Sequence, residues 1–251
     1  MELLYMDDRL LVCVKRAGVL SEDRGEDSAP ALLRAEIGGY IGVVHRLDRP
    51  VGGVMVFSRD PAVTGKLTQS FAQTGEKTYL AVVSGDPGDG GVYEDLLYHD
   101  PRTNKTFVVK RMRAGVREAR LRYQKLATRQ SAAHTLSLVR VTLETGRTHQ
   151  IRTQFASRGM PIVGDRRYGS RIASDGIALW SAQISFDHPL DGRRLTFSKE
   201  PPDGFPLREA IRIDFGGGST NDIDARTARE RTARKADDRR KDLSGHVRHD
   251  L

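Results

Sequence analysis

The amino-acid sequence predicts an α+β domain, strand-dominated and mostly antiparallel, with flanking helices and a charged C-terminal tail. Three observations carry this. Apolar runs of strand length recur from Leu10 to about Pro202, bounded by glycine and proline. Only three segments show the apolar spacing or stop signals of a helix. From Gly216 onward the large apolar residues almost vanish, and charges of both signs take their place.

Taken in order, "RLLVCVK" is the first strand, followed by a turn region at Gly18 and the polar loop "SEDRGEDSAP". "APALLRAEIGGY" is a short helix closed by Gly38-Gly39. "GVMVFSRD", between Gly52-Gly53 and Asp60-Pro61, is apolar throughout, as a strand buried on both faces would be. "AVTGKLTQSFAQTG" spaces Val63, Leu67 and Phe71 by four and reads as an amphipathic helix ending at Gly75. "KTYLAVVSG" is a strand with Tyr79, Ala81 and Val83 on one face and Leu80 and Val82 on the other. Beyond "GDPGDGG", the segments "KTFVVKRMR", "EARLRYQKLATR" and "AAHTLSLVRVTLETG" suggest an antiparallel meander. "RTHQIRTQFASRG" is a helix with Ile151 and Phe155 on its core face, stopped by Gly159 and Pro161. "IALWSAQISFDHP" and "RRLTFSKEPP" complete the body as strands. One domain over residues 1–215 and a disordered or marginally helical tail over 216–251 follow from this. The tail's nine Lys/Arg nearly balance its seven Asp/Glu, which favours an inert extension over an RNA-grasping arm.

The chain of 251 residues is long enough to bury a full core. Lys plus Arg number 41 against 33 Asp plus Glu, a net charge of +8 that suits polyanionic partners. The single Cys13, set in an apolar strand, excludes an internal disulfide framework and a multi-cysteine zinc site. No apolar stretch approaches the ~18–20 residues that span a bilayer. "MELLYMDDR" is acidic and lacks the basic start and apolar core of a signal peptide, so a cytoplasmic location is expected.

Three constellations could carry chemistry. Asp48 lies between Arg46 and Arg49 at the mouth of the buried strand. A carboxylate beside fixed positive charge is favoured as the anion and is available as a nucleophile; the bland reading is a structural ion pair. In "LETGRTHQIRTQFASRGMPIVGD", Thr145-Gly146 enters a helix whose first turn holds Arg147, Thr148, His149 and Gln150. Free N–H groups there favour an anion such as phosphate, and Arg152 can reach a carboxylate delivered from elsewhere; the alternative is a basic solvated face. Lys77 and Tyr79 share a strand face, suited to phosphate and base stacking, or to ordinary core packing.

Together, in this order, the segments resemble the RluA-type family of pseudouridine synthases, which isomerise a uridine already in RNA to its carbon-linked isomer. "HRLD" at 45–48 before a Gly-Gly strand looks like the family's signature around its essential aspartate. "EKTYLAVVSG" looks like the segment of its active-site tyrosine, and "TGRTHQIRTQFASRGMPIVGDRRYG" like its third motif, ending at Gly164, Asp165, Tyr168 and Gly169. The resemblance covers residues 3 to 202, counting "LLYMDDRLLVCVKRAGVL" and "LWSAQISFDHPLDGRRLTFSKEPP" at its edges. Two departures stand out: Lys15-Arg16 where members often have Lys-Pro, and Val51-Gly52 where a hydroxyl residue is common.

The resemblance implies a strand-dominated pseudouridine synthase catalytic domain without the small N-terminal RNA-binding appendage of many members. It implies Asp48 as the catalytic carboxylate, Arg152 as its partner, and Tyr79 packed on the target base and placed to help the late removal of the C5 proton. His45, Arg46, Lys77, Arg147, His149 and Gln150 are the candidate RNA contacts, with Arg46 placed to fill the space of a flipped base. His45 and His149 are expected as orienting hydrogen bonders rather than metal ligands. No cofactor and no metal are expected, because the isomerisation involves neither redox change nor hydrolysis. The expected partner is ribosomal or transfer RNA, and the expected state a monomer. The runner-up is a catalytically inactive RNA-binding module of the same fold. A kinase-type loop is a poor fit, since Leu47 separates Arg46 from Asp48 and position 53 is glycine.

Overall fold

The computed structural model describes residues 1–211. The charged tail and the domain limit expected at 215 lie outside the described residues. In chain order the elements are β1 (Glu2–Met6), β2 (Leu10–Lys15), α1 (Ala29–Ile37), β3 (Gly42–Val43), β4 (Gly52–Ser58), α2 (Pro61–Gln73) and β5 (Glu76–Ser84). Then follow β6 (Gly90–Asp100), β7 (Lys105–Val109), β8 (Val116–Gln130), β9 (Thr135–Leu143), α3 (Gln150–Ala156), β10 (Leu179–Asp187) and β11 (Arg194–Ser198). The strands form one sheet in the order β1-β2-β4-β10-β5-β9-β8-β6-β7, with β11 also on β10 and β3 also on β4. Every pairing is antiparallel except β4 with β10, so the expected strand-dominated, mostly antiparallel α+β class is the one observed.

That one parallel pairing sets the centre of the molecule, and two glycines permit it. Gly52 lies opposite Trp180 and Gly53 opposite Ser181. A β-carbon at Gly52 would fall 2.6 Å from the Trp180 ring, and one at Gly53, where φ is +126°, would fall 2.2 Å from the Ser181 carbonyl oxygen. Both faces of β4 are then covered, and all seven of its residues are buried. Met55 and Phe57 join Leu11, Cys13, Leu33, Ile151 and Phe155 on one face. Val54 and Val56 join Leu10, Val12, Leu67, Phe71 and Phe186 on the other. Cys13 is core packing, as its apolar surroundings suggested, and burial pushes its thiol up to about 12.

Helices α1 and α2 form where their signals lie. The Ser28 hydroxyl accepts from the Ala31 N–H and the Asp60 carboxylate from the Ala62 N–H, each with proline in the first turn. Val63, Leu67 and Phe71 are the buried stripe of α2, but the helix closes on Thr74, whose N–H bonds the Ser70 carbonyl, rather than on Gly75. Gly75 serves a close approach instead: a β-carbon there would sit 2.1 Å from the Phe71 carbonyl oxygen.

Two expectations are corrected. The middle of the chain is not a simple meander: β6 lies between β7 and β8, because the fifteen-residue β8 pairs with the eleven-residue β6 rather than with the short β7. Glu94, Asp95, His99 and Asp100 hide β6 in the sequence by interrupting its apolar alternation. Helix α3 starts at Gln150, not at Arg147, because His149 takes a left-handed backbone (φ 54°) that no helix continues through. Nor does α3 have a solvated face: Gln150 to Phe155 are all buried. Its polar side chains therefore need internal partners, and all but the Oε1 of Gln154 have them. Gln150 bonds Thr145, the Arg147 N–H and the Arg120 carbonyl, Thr153 bonds the Thr106 carbonyl, and Gln154 bonds the Tyr93 carbonyl and Asp95.

Candidate active site

Asp48 sits on the loop between β3 and β4, and that loop is clamped on both sides of it. Before it, the Ser21 hydroxyl donates to the Leu47 carbonyl (2.8 Å) and accepts from the Leu47 N–H (3.1 Å). After it, the Val51 N–H bonds the Asp48 carbonyl, and the Arg49 carbonyl accepts from the Gly18 N–H (2.8 Å) and from Lys15 Nζ (3.3 Å). Lys15 also donates to the carbonyls of Arg16 and Val19 and is 0 % exposed. Burial lowers its pKa from the ordinary 10.5 to about 8, opposed by the charge of Asp48. Three carbonyl oxygens around one ammonium are a rigid knot under the loop, and the Lys15-Arg16 departure leaves it intact.

Arg152 reaches Asp48 from the opposite half of the sheet. It is 4 % exposed, and its NH1 donates to Asp48 Oδ2 at 2.9 Å. The rest of the guanidinium is gripped bidentately by Asp165, Nε to Oδ2 at 2.7 Å and NH2 to Oδ1 at 2.9 Å, with Asp165 3 % exposed. Burial works against the charge of Arg152, but the hydrogen bonds and charge of Asp165, then those of Asp48, raise its pKa beyond the ordinary value. The ring of Tyr168 lies 5.0 Å below the guanidinium. One buried cation thus links two carboxylates, and only Asp48, with 24 % of its side chain exposed, opens to solvent.

His149 is the second group at Asp48. Its Nε2 lies 3.7 Å from the same Oδ2 that Arg152 holds, and its Nδ1 lies 2.9 Å from the Tyr168 hydroxyl. Burial lowers its pKa to about 4 despite the opposing charge of Asp48, so the ring is neutral at pH 7. Among the described residues no hydrogen bond reaches Oδ1 of Asp48, and that oxygen is available to a substrate.

Tyr79 projects from β5 and is buried. Desolvation and then the charge of Asp48 raise its pKa well above that of a free phenol, offset in part by a hydrogen bond with Ser181. Ser181 thereby supplies a hydroxyl beside the site, although Val51-Gly52 does not. Lys77, two residues before Tyr79, has its pKa lowered by desolvation and its Nζ 5.1 Å from the Phe71 ring.

Asp48, Tyr79, Arg152, His45, Arg46, Lys77, Arg147, His149 and Gln150 all line one open cleft of about 1080 Å³, with Leu143, Ile151 and Leu179 as apolar walls. Their availability differs. Arg46 and Arg147 are exposed at the rim, Arg46 paired with Glu22 and Arg147 bonded through Nε to the Glu118 carbonyl. His45 stacks on Phe71 with ring centroids 4.3 Å apart, and its Nε2 accepts the Val56 N–H. That N–H falls between the stretch of β4 paired with β10 and the stretch paired with β3, so His45 fills a gap in the ladder. Burial, with a contribution from Lys77, holds its pKa near 3, and the ring stays a neutral acceptor. Gln150 has both side-chain polar atoms engaged, Oε1 in the loop before α3 and Nε2 on the Arg120 carbonyl of β8. Nε2 of His45 and both side-chain polar atoms of Gln150 thus already have protein partners.

Sequence reasoning missed Lys15 as the clamp, and it left Asp165 and Tyr168 without roles. A buried polar helix offers one retrospective signal: so dense a set of Gln, Arg and Thr around Ile151 and Phe155 requires partners nearby.

Known proteins match this chain in sequence and in fold. The model of the RNA pseudouridylate synthase family matches residues 9–157. An uncharacterized RNA pseudouridine synthase of Chloroflexus aurantiacus is 38% identical over 176 residues, 66% of this chain and 52% of that one, about half its length. The ribosomal large subunit pseudouridine synthase D of Xanthomonas campestris pv. campestris is 33% identical over 85% of this chain and 70% of its own. The tRNA pseudouridine synthase C of Haemophilus ducreyi is 30% identical over 79% of this chain and 90% of its own. The fold, on its own, also matches human RNA Pseudouridylate Synthase Domain Containing 4, with TM-score 0.66 and 22% identity over 86% of this chain and 95% of that one. With a family model over more than half of its length and relatives matched across most of theirs, the chain belongs to the RluA-type RNA pseudouridylate synthases.

Proposed function

We propose that this chain isomerises a uridine of ribosomal or transfer RNA to pseudouridine, with Asp48 as the catalytic carboxylate. The observation that carries the reading is the pairing of Asp48 Oδ2 with Arg152 at 2.9 Å in the wall of the cleft, with no hydrogen bond on Oδ1 among the described residues. The reaction breaks the N1–C1′ bond, turns the uracil, forms C5–C1′, removes the C5 proton and returns a proton to N1, so no atom is gained or lost. An anionic oxygen at C1′ stabilises the electron-poor sugar carbon, by bond formation or by charge. Arg152 keeps that oxygen's neighbour fixed without blocking it. The Tyr79 phenol, held neutral by burial, packs on the base and is not itself the proton acceptor; Asp48 Oδ1, free once C5–C1′ has formed, takes the C5 proton.

Flipping the target nucleotide costs about a few kcal/mol per base. Arg46, Lys77 and Arg147 around the cleft offset this through phosphate contacts and stacking, while His45 and Gln150 hold the loops that carry them. A cytoplasmic monomer acting without cofactor or metal is the accompanying reading, since neither electrons nor water enter the net reaction. No helix among the described residues is long and apolar enough to cross a membrane.

The test is purified protein on unmodified ribosomal and transfer RNA, with pseudouridine mapped by site, beside Asp48→Asn. The variant makes no product while its RNA affinity stays within a few fold. Product formation by Asp48→Asn at the wild-type rate refutes the catalytic assignment. RNA binding by the wild type without product at any site supports an inactive binding module.

A further inference from the structure

Tyr168 faces one ring nitrogen of His149, and Asp48 faces the other. The Thr106 N–H donates to the Tyr168 oxygen at 2.8 Å, and the same oxygen lies 2.9 Å from His149 Nδ1. Among the described residues, the phenol hydrogen has no acceptor other than that Nδ1. With the phenol donating to Nδ1, a neutral ring bears its hydrogen on Nε2. Nε2 faces Asp48 Oδ2 at 3.7 Å, a charge–dipole contact longer than a hydrogen bond, as catalytic contacts often are before substrate closes the site. The ring cannot drift from this position. Thr106 Oγ1 donates to the Thr148 carbonyl, Thr153 Oγ1 donates to the Thr106 carbonyl, and the rings of Tyr168 and His99 pack edge-on against His149.

We propose that His149 is a positioning residue for Asp48. As the Nε2–H tautomer set by Tyr168, it aims a donor at Oδ2, so that Arg152 and His149 together hold that oxygen and turn Oδ1 toward the substrate. The proposal rests on the catalytic reading of Asp48 given above.

Three substitutions of the full chain separate this from a structural role. The amide nitrogen of His149→Gln reaches the place of Nε2, whereas that of His149→Asn reaches only the place of Nδ1. Backbone strain favours the opposite order, because asparagine tolerates the left-handed conformation at 149 better than glutamine. Single-turnover rates on a modified RNA site, with RNA affinity measured alongside, fall ~10-fold in His149→Asn and His149→Ala. His149→Gln recovers most of the loss, and affinity is unchanged in all three. Nitrogen-15 NMR of wild-type histidines shows His149 protonated at Nε2 alone, and Tyr168→Phe gives a mixture of tautomers. Protonation at Nδ1 in the wild type, or glutamine no faster than asparagine, overturns the proposal. A wild type that makes no pseudouridine overturns the functional reading instead, and the NMR result distinguishes the two.

Discussion

Asp165→Asn isolates the buried carboxylate of the pair that Arg152 links. The replacement keeps the size of the side chain but offers one acceptor where Nε and NH2 of Arg152 now find two, at 2.7 and 2.9 Å. Its amide NH2 then points at a guanidinium donor. Removing one partner of a buried pair costs about 3–5 kcal/mol, and Asp48 still neutralises Arg152, which places this loss near the lower end, about 3 kcal/mol. For a domain of this size ~2–4 °C per kcal/mol translates that into a fall of ~6–12 °C in Tm. Asp48→Asn should behave differently: Asp48 is 24 % exposed and Arg152 keeps Asp165, so the loss is about 1 kcal/mol, or ~2–4 °C. The two variants thus invert between assays. Thermal or urea unfolding ranks Asp165→Asn as the damaged protein, while pseudouridine formation is abolished in Asp48→Asn and only reduced in Asp165→Asn. A Tm for Asp165→Asn within ~2 °C of wild type, or Asp48→Asn as the less stable of the pair, would refute the claim that Asp165 carries the burial of Arg152.

The other expectations concern the sheet and the lysine knot. Lys15 has a folded pKa of about 8 against an ordinary 10.5. Between those values the unfolded chain binds a proton that the folded one has lost, so this group makes stability rise with pH across that window. The rise amounts to about 3 kcal/mol, read as the difference in unfolding free energy between wild type and Lys15→Met from pH 7 to 10.5. A difference that is flat or falls with pH contradicts the buried ammonium. Gly53→Ala places a β-carbon 2.2 Å from the Ser181 carbonyl at φ +126°, which should cost more than about 3 kcal/mol and show as lost soluble yield or a collapsed Tm. A soluble, wild-type-stable Gly53→Ala would mean that β4 and β10 can separate without consequence.

Local pattern was sufficient for much of the fold. The apolar run of β4, the four-residue spacing of α2 and the alternation of β5 each express a single element's burial, and each is observed. The start of α3 was not legible, because His149 leaves helical geometry to face Asp48 and Tyr168, which are 101 residues before it and 19 after it in the chain. Strand β6 was obscured because its carboxylates serve neighbours: Asp95 pairs with Arg158 and Glu94 with Arg120, so polar residues stand where alternation would call for apolar ones. At the site, Asp48, Tyr79 and Arg152 were reached through the family resemblance, and charge alone left each of them with an ordinary structural reading. Lys15 and Asp165 escaped notice for one physical reason. The partners of Lys15 are backbone carbonyls of Arg16, Val19 and Arg49, and that of Asp165 is an arginine thirteen residues earlier across a turn, and no periodicity or residue type along the chain marks either contact.

The parallel seam between β4 and β10 also has a consequence for biosynthesis. β4 and β5 flank β10 in the sheet, yet β10 is made long after both, from Leu179 onward. During translation at ~5–20 residues per second, the facing edges of two half-sheets stay open for ~5–20 s between completion of β5 at Ser84 and arrival of β10. One of those edges is β4 at Gly52-Gly53, where β3 and His45 cover only the far end of the strand, and an unpaired strand edge is the kind that recruits other chains. Asp48 and Arg152 belong to opposite halves, so their ion pair forms only when this late strand zips the halves together. The nascent protein is most exposed to aggregation while it is catalytically blank, and it acquires its chemistry in the same event that seals its edges.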